Sequence, residues 1–156
     1  MHGTRPVCAS VRYSGLLAVL VALGGCASPG ELRPFKSDGC SLFPDKSNAT
    51  GKDWSRCCVC HDLVYWAGGT AGERRKADLE LKECVAGITH KESLANLMHA
   101  GVRIGGTPYL PTPFRWSYGW GYGRFYKPLS AVEQALVDPL KPNPPLDCPA
   151  DETDRP

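Results

Sequence analysis

Between Cys57 and Cys84 the chain carries residue types that can activate water. Asp62 follows His61 directly, Tyr65 comes four positions after the histidine, and a second carboxylate, Asp78, follows after a gap. An imidazole with a reference pKa near 6.5 is neutral above that pH and can take a proton from water, a contribution of about 10²–10⁴-fold. One carboxylate can fix the ring's tautomer while the other offers hard oxygens to a cation. Ester hydrolysis is the chemistry that such a set suits. It needs no nucleophilic serine, and no Gly-x-Ser-x-Gly elbow is present.

Each residue alone has a plainer role. His61 alone reads as a satisfied helical histidine and Tyr65 as core. Asp62 and Asp78 read as solvated carboxylates, or as partners of Arg74, Arg75 or Lys82. The joint spacing is what favours a site. His90 and His99 read as surface or core residues outside it.

The elements that must position this set follow from pattern. Trp54 to Trp66 holds no Pro or Gly and fits one helix, ended by Gly68-Gly69. On it His61 and Tyr65 share a face, and Asp62 lies about 100° round. Thr70 with Glu73 makes a capping-box pattern. A second helix is predicted from about Glu73 to Val85, closed by Gly87, with Ala77, Leu81, Cys84 and Val85 at helical spacing. A third is predicted over Lys91 to His99, with Leu94, Leu97 and Met98 facing inward, and a short one over Ser130 to Val137. Ser37 to Asp53 reads as loop. Gly105 to Lys127 gathers Tyr109, Phe114, Trp116, Tyr118, Trp120, Tyr122, Phe125 and Tyr126 among glycines and prolines. Alternation over Trp116 to Tyr122 would place rings on one face of an extended segment. Those rings either cover the helix pair as core or form an interfacial surface.

The start of the chain addresses a compartment. Arg5 and Arg12 precede a short apolar run, Leu16 to Leu23, too short for the ~20 residues of a spanning helix. Residues 1–25 read as an export signal. Leu23-Gly24-Gly25-Cys26 resembles the bacterial lipobox, which implies acylation of Cys26; simple signal cleavage near Ala27 or Ser28 is the other reading. Residues 26–37 read as a tether, 38–138 as one domain and 139–156 as a proline-rich tail pinned by Cys148. The expected location is periplasmic or outer-membrane lipoprotein, otherwise secreted. With Cys8 lost and Cys26 acylated or removed, six cysteines remain of eight, an even number that suits disulfides in an oxidising compartment. Loss of the leader arginines takes the formal charge of +2 to near zero, and no basic stripe suggests nucleic acid.

Cys57-Cys58-x-x-His61-Asp62-x-x-Tyr65, then Asp78 with Cys84 six residues later, resembles secreted phospholipase A2 over about residues 38 to 86. The resemblance implies a mainly α, small disulfide-stapled domain built on two antiparallel helices, with the aromatic-rich irregular region on its C-terminal side. It implies His61 as base, Asp78 as the acid that orients it, Tyr65 in support, and Asp62 as a calcium ligand. It further implies Cys40–Cys58 and Cys57–Cys84, which leaves Cys60 for Cys148. With Cys57 joined to Cys84 in an antiparallel pair, Asp78 falls within about 3 Å of the level of His61. Alignment on Cys40 gives the carbonyls of Gly39, Ser41 and Phe43 as further ligands. The family's glycine-rich run is absent here; of that loop only Gly39 is glycine.

The expected function is therefore calcium-dependent hydrolysis of a phospholipid carboxylic ester at a membrane surface. The alternative is a catalytically inactive envelope lipoprotein of the same fold with a binding or structural role. Cys57-Cys58-Val59-Cys60-His61 also satisfies the c-type haem attachment pattern, but that leaves Asp62, Tyr65 and the Asp78/Cys84 spacing unexplained, so no haem is expected. A zinc site fails because ligands adjacent on one helix cannot converge on one tetrahedral centre.

Overall fold

The structure is a computed structural model that describes residues 30–143 and 146–148. The export signal, Cys26 and most of the tail lie outside the described residues. Those described form four α-helices and no strand: α1 (Ser55–Ala67), α2 (Ala71–Thr89), α3 (Glu92–Gly105) and α4 (Ala131–Val137), the last continued by a 3₁₀ turn over Asp138–Leu140.

α1 starts where Asp53 Oδ1 accepts from the Ser55 amide at 2.8 Å and the Ser55 hydroxyl at 2.6 Å. It stops at Gly68, whose φ of 74° favours glycine and whose N–H bonds Val64 O. Three residues later α2 begins on the Thr70–Glu73 capping box, with both reciprocal bonds made. α2 runs past Gly87, the predicted stop, and ends at His90, which takes the left-handed conformation at φ 55°. Gly87 is exposed, so it costs the helix only propensity, about 1 kcal/mol against Ala. Buried Val85 and Thr89 on either side hold the helix together.

α3 is longer than its predicted span and passes through Gly101 to Gly105. Met98 is buried and Leu94 packs at the core margin, but Leu97 is 60 % exposed and does not face inward as expected. The helix ends at Gly106, where a Cβ would come within 2.5 Å of Tyr65 Cε1, so this end can sit against the Tyr65 ring only as glycine. α2 packs against both α1 and α3.

Three disulfides close the domain: Cys40–Cys58, Cys57–Cys84 and Cys60–Cys148, the pairs named above. Cys57 opens α1 and Cys84 lies near the end of α2, so the two helices run antiparallel. Such staples suit a small domain in an oxidising compartment.

The core falls into three adjoining clusters. One joins Trp54, Leu81, Val85, Ala95 and Met98 with Cys40, Cys57 and Cys58. A second joins Leu32, Trp66, Trp120 and Val137, and the third joins Tyr65, Ala77 and Trp116. Leu32 and Phe35, from the segment read as tether, pack here, and Trp66 Nε1 donates to Arg33 O at 2.7 Å. Residues 115–120 run as turns rather than an extended segment. Trp116 and Trp120 cover the helices as core, while Tyr109 and Tyr122 are exposed. The indole N–H groups of both tryptophans donate to carbonyls of Gly69 and Ala67 at the α1–α2 turn.

Candidate active site

α1 presents His61 and Tyr65 on one face, and α2 brings Asp78 opposite them. His61 Nε2 lies 2.9 Å from Asp78 Oδ1. The Tyr65 hydroxyl donates to the same oxygen at 2.6 Å. Asp78 is fully buried and His61 is 7 % exposed. An ionised Asp78 can only accept, so Nε2 carries the proton and Nδ1 keeps its lone pair. Nδ1 is 3.9 Å from Asp62 Oδ1, an ion-pair distance rather than a hydrogen bond. The Tyr65 ring lies against the imidazole, with centroids 4.1 Å apart.

Behind Asp78 stands a network of which the sequence reading named only Arg74, as one alternative partner of the carboxylate, at 3.8 Å here. Arg103 Nη1 donates to Asp78 Oδ2 at 2.6 Å. Arg74 Nε donates to the Tyr65 hydroxyl at 2.9 Å and Nη1 to the Tyr126 hydroxyl at 2.6 Å. Arg74 Nη2 donates to the carbonyls of Val102 and Arg103 at 2.9 and 2.8 Å in the last turn of α3, the former shared with the Gly106 amide. Arg74 is thus a buried cation that ties α3 to the tyrosine. Its position four residues before Asp78 on α2 was the signal for proximity. Arg103 gave no signal, because the predicted third helix stopped short of it.

The charges set the protonation states. Burial raises the Asp78 carboxyl, but the bonds from His61, Tyr65 and Arg103 outweigh it, and its pKa lies below the ordinary value. Burial, then the Asp78 charge, pushes Tyr65 far above its ordinary value, so its hydroxyl stays protonated and serves as a donor. For His61, burial disfavours the charged ring, yet Asp62 and Asp78 together overcome this and raise its pKa.

Asp62, Gly39, Ser41 and Phe43 line the same cleft as His61. The loop that carries the last three is fixed to α1 by Cys40–Cys58 and to Asp45, whose Oδ1 accepts from Cys40 N at 2.8 Å. The carbonyls of Gly39, Ser41 and Phe43 accept no hydrogen bond from any described residue. These carbonyls and Asp62 are all oxygen donors, the kind a hard cation such as calcium takes, with water to complete its six to eight ligands. Among the described residues no group of three or more His, Cys, Asp or Glu could hold a metal, so carbonyls would have to carry such a site. Asp62 Oδ2 accepts from the Ser37 hydroxyl at 2.6 Å, a contact that a cation would compete with.

The cleft measures ≈ 130 Å³ and is walled by Leu42, Phe43, Met98, Val102 and Phe114. That approaches the roughly 150 Å³ of an apolar cavity that takes benzene. A second, ≈ 720 Å³ cavity touches His61 from beneath the Cys148 segment, but Asp62 does not line it. The free Nδ1 lies on the Asp62 side and therefore serves the smaller cleft.

Compared with protein families, with curated proteins and with solved structures, the chain matches none of them.

Proposed function

We propose that the protein is a phospholipase A2-like hydrolase that cleaves a phospholipid carboxylic ester with a water activated by His61, in the presence of calcium. The observation that carries this reading is the buried Asp78 carboxylate on Nε2 of His61, at 2.9 Å, with Nδ1 left unbonded beside an open apolar cleft. In the reaction, Nδ1 takes a proton from water as the water oxygen attacks the ester carbonyl. Asp78 stabilises the imidazolium that forms. The imidazolium then gives the proton to the departing alkoxide oxygen as the acyl–oxygen bond breaks, which yields a fatty acid and an alcohol. Tyr65 and Arg74 hold Asp78 and the ring in place throughout. Asp62 and the carbonyls of Gly39, Ser41 and Phe43 are the groups that would hold the cation. The chemistry calcium supplies when bound is polarisation of the carbonyl and stabilisation of the oxyanion. Three disulfides suit an exported protein, and we place it on the cell envelope through a lipid on Cys26.

The test is fatty-acid release from phospholipid vesicles by the oxidised protein, with calcium and with chelator. Release with calcium alone is expected; equal release in chelator would contradict the mechanism. The Ser37 hydroxyl already seated on Asp62 favours a second reading, a non-catalytic envelope protein of the same architecture. Absence of release under every condition, together with intact vesicle binding, would favour that one.

A further inference from the structure

On the far side of Asp62 from the apolar cleft lies a larger one of ≈ 980 Å³, whose lining includes Arg33, Lys36 and Arg115. None of these three cations has a carboxylate at ion-pair distance among the described residues. Arg115 is the unusual one, since it is only 6 % exposed. A buried charge is ordinarily paired. Arg115 instead donates to three carbonyls: Nη1 to Trp116 O at 3.1 Å and Ser117 O at 2.8 Å, and Nη2 to Trp120 O at 2.7 Å. A guanidinium has five N–H donors. Nε has no acceptor among the described residues, yet it is not sealed from solvent. The guanidinium also lies over the Tyr122 ring, 5.5 Å from its centroid.

The charges within this cleft are segregated. After burial, the influence that most disfavours the Arg115 charge is Arg33, a like charge, and no carboxylate relieves it. The carboxylates of the cleft, Asp38 and Asp62, act on Tyr118 instead. One end is thus cationic and the other, next to His61, acidic.

From the unpaired Arg33–Lys36–Arg115 cluster in this cleft, we infer an anion-binding subsite for a phosphate group, held by the forked donors of the arginines. Guanidinium matches phosphate through paired N–H donors, and a phosphate there would neutralise two charges that now repel each other. Either a free phosphate ester or a lipid headgroup could bring that group. Binding does not require the hydrolysis proposed above, although a phospholipid bridging both clefts would place its phosphate here and its ester beside His61.

The test is binding by the oxidised full chain, in two arms: inorganic phosphate followed by tryptophan fluorescence at constant ionic strength in chloride, and vesicles of phosphatidylglycerol followed by sedimentation. The variants are Arg33→Gln, Arg115→Gln, Arg75→Gln and His61→Gln. Arg33 has an exposed side chain with no partner, so Arg33→Gln keeps the fold even if Arg115→Gln does not. Arg75→Gln makes the same change of charge on the exposed face of α2. Affinity in at least one arm is expected to fall at least tenfold in Arg33→Gln and to stay within twofold of the wild type in Arg75→Gln and His61→Gln. The arm that responds identifies the source of the phosphate. If neither arm separates Arg33→Gln from Arg75→Gln, the subsite is overturned. Unchanged binding in a hydrolytically dead His61→Gln keeps this result separate from the fate of the hydrolase reading.

Discussion

Asp78 does two jobs that pull in different directions. It orients His61, and it is also the counter-charge for Arg103 and, at 3.8 Å, for Arg74. Breaking a buried pair by removing one partner typically costs about 3–5 kcal/mol, because the remaining charge is left uncompensated. Asp78→Asn should therefore lower both stability and rate. The pH dependence separates the charge from the shape. The folded pKa of Asp78 lies below its unfolded value of about 3.9, so its contribution is fully present above that pH and is lost as the pH falls through the lower folded value. Urea midpoints of wild type and Asp78→Asn, measured from neutral pH downward, should first move further apart as His61 takes up its proton, because Asp78 favours the charged ring, and then converge below about pH 4 as Asp78 itself is protonated. A gap that does not narrow in acid would mean that the Asp78 charge is not what stabilises the fold.

At the level of elements, the ends of the helices were only partly legible. The start of α2 could be read because Thr70 and Glu73 are a local device that needs nothing from the rest of the chain. The ends of α2 and α3 could not, since Gly87 read as a stop and the third helix was predicted to end at His99, while tertiary packing carries both helices further. The candidate site was legible to the extent that it is written in α1 and α2: His61 and Tyr65 stand one helical turn apart on α1, and the resemblance to secreted phospholipase A2 pointed to Asp78 on α2. What supports it from α3 and the aromatic segment, Arg103 and Tyr126, was not, because long-range contacts leave no periodic trace. The turns over residues 115–120 were hidden for the same reason: the Trp116 and Ser117 amides bond the carbonyls of Gly106 and Tyr65, far away in sequence. The overrun at Gly87 gives a direct prediction. Nothing lies within 4 Å of a Cβ built there. Gly87→Ala should stabilise the protein by about 0.5–1 kcal/mol in urea unfolding and leave any hydrolysis unchanged. A destabilised variant would mean that α2 is not helical at that point.

For the molecule as a whole, the helix pair and the staples form one device. Cys57–Cys84 fastens the ends of α1 and α2 remote from their connecting turn, with His61 and Asp78 between the two fastenings. Removing it with Cys57→Ala and Cys84→Ala should cost about 2–5 kcal/mol in urea unfolding. Because it also frees the register of the two helices, activity should fall by more than the unfolded fraction accounts for. A full-rate double variant would show that packing alone aligns the dyad. The central claim, that an imidazole oriented from behind by Asp78 is the base, is tested most directly by the initial rate of fatty-acid release from vesicles by His61→Gln against wild type, at matched circular dichroism and saturating calcium. The account predicts a fall on the order of 10²–10⁴-fold with the fold intact; a variant that hydrolyses at the wild-type rate would contradict it.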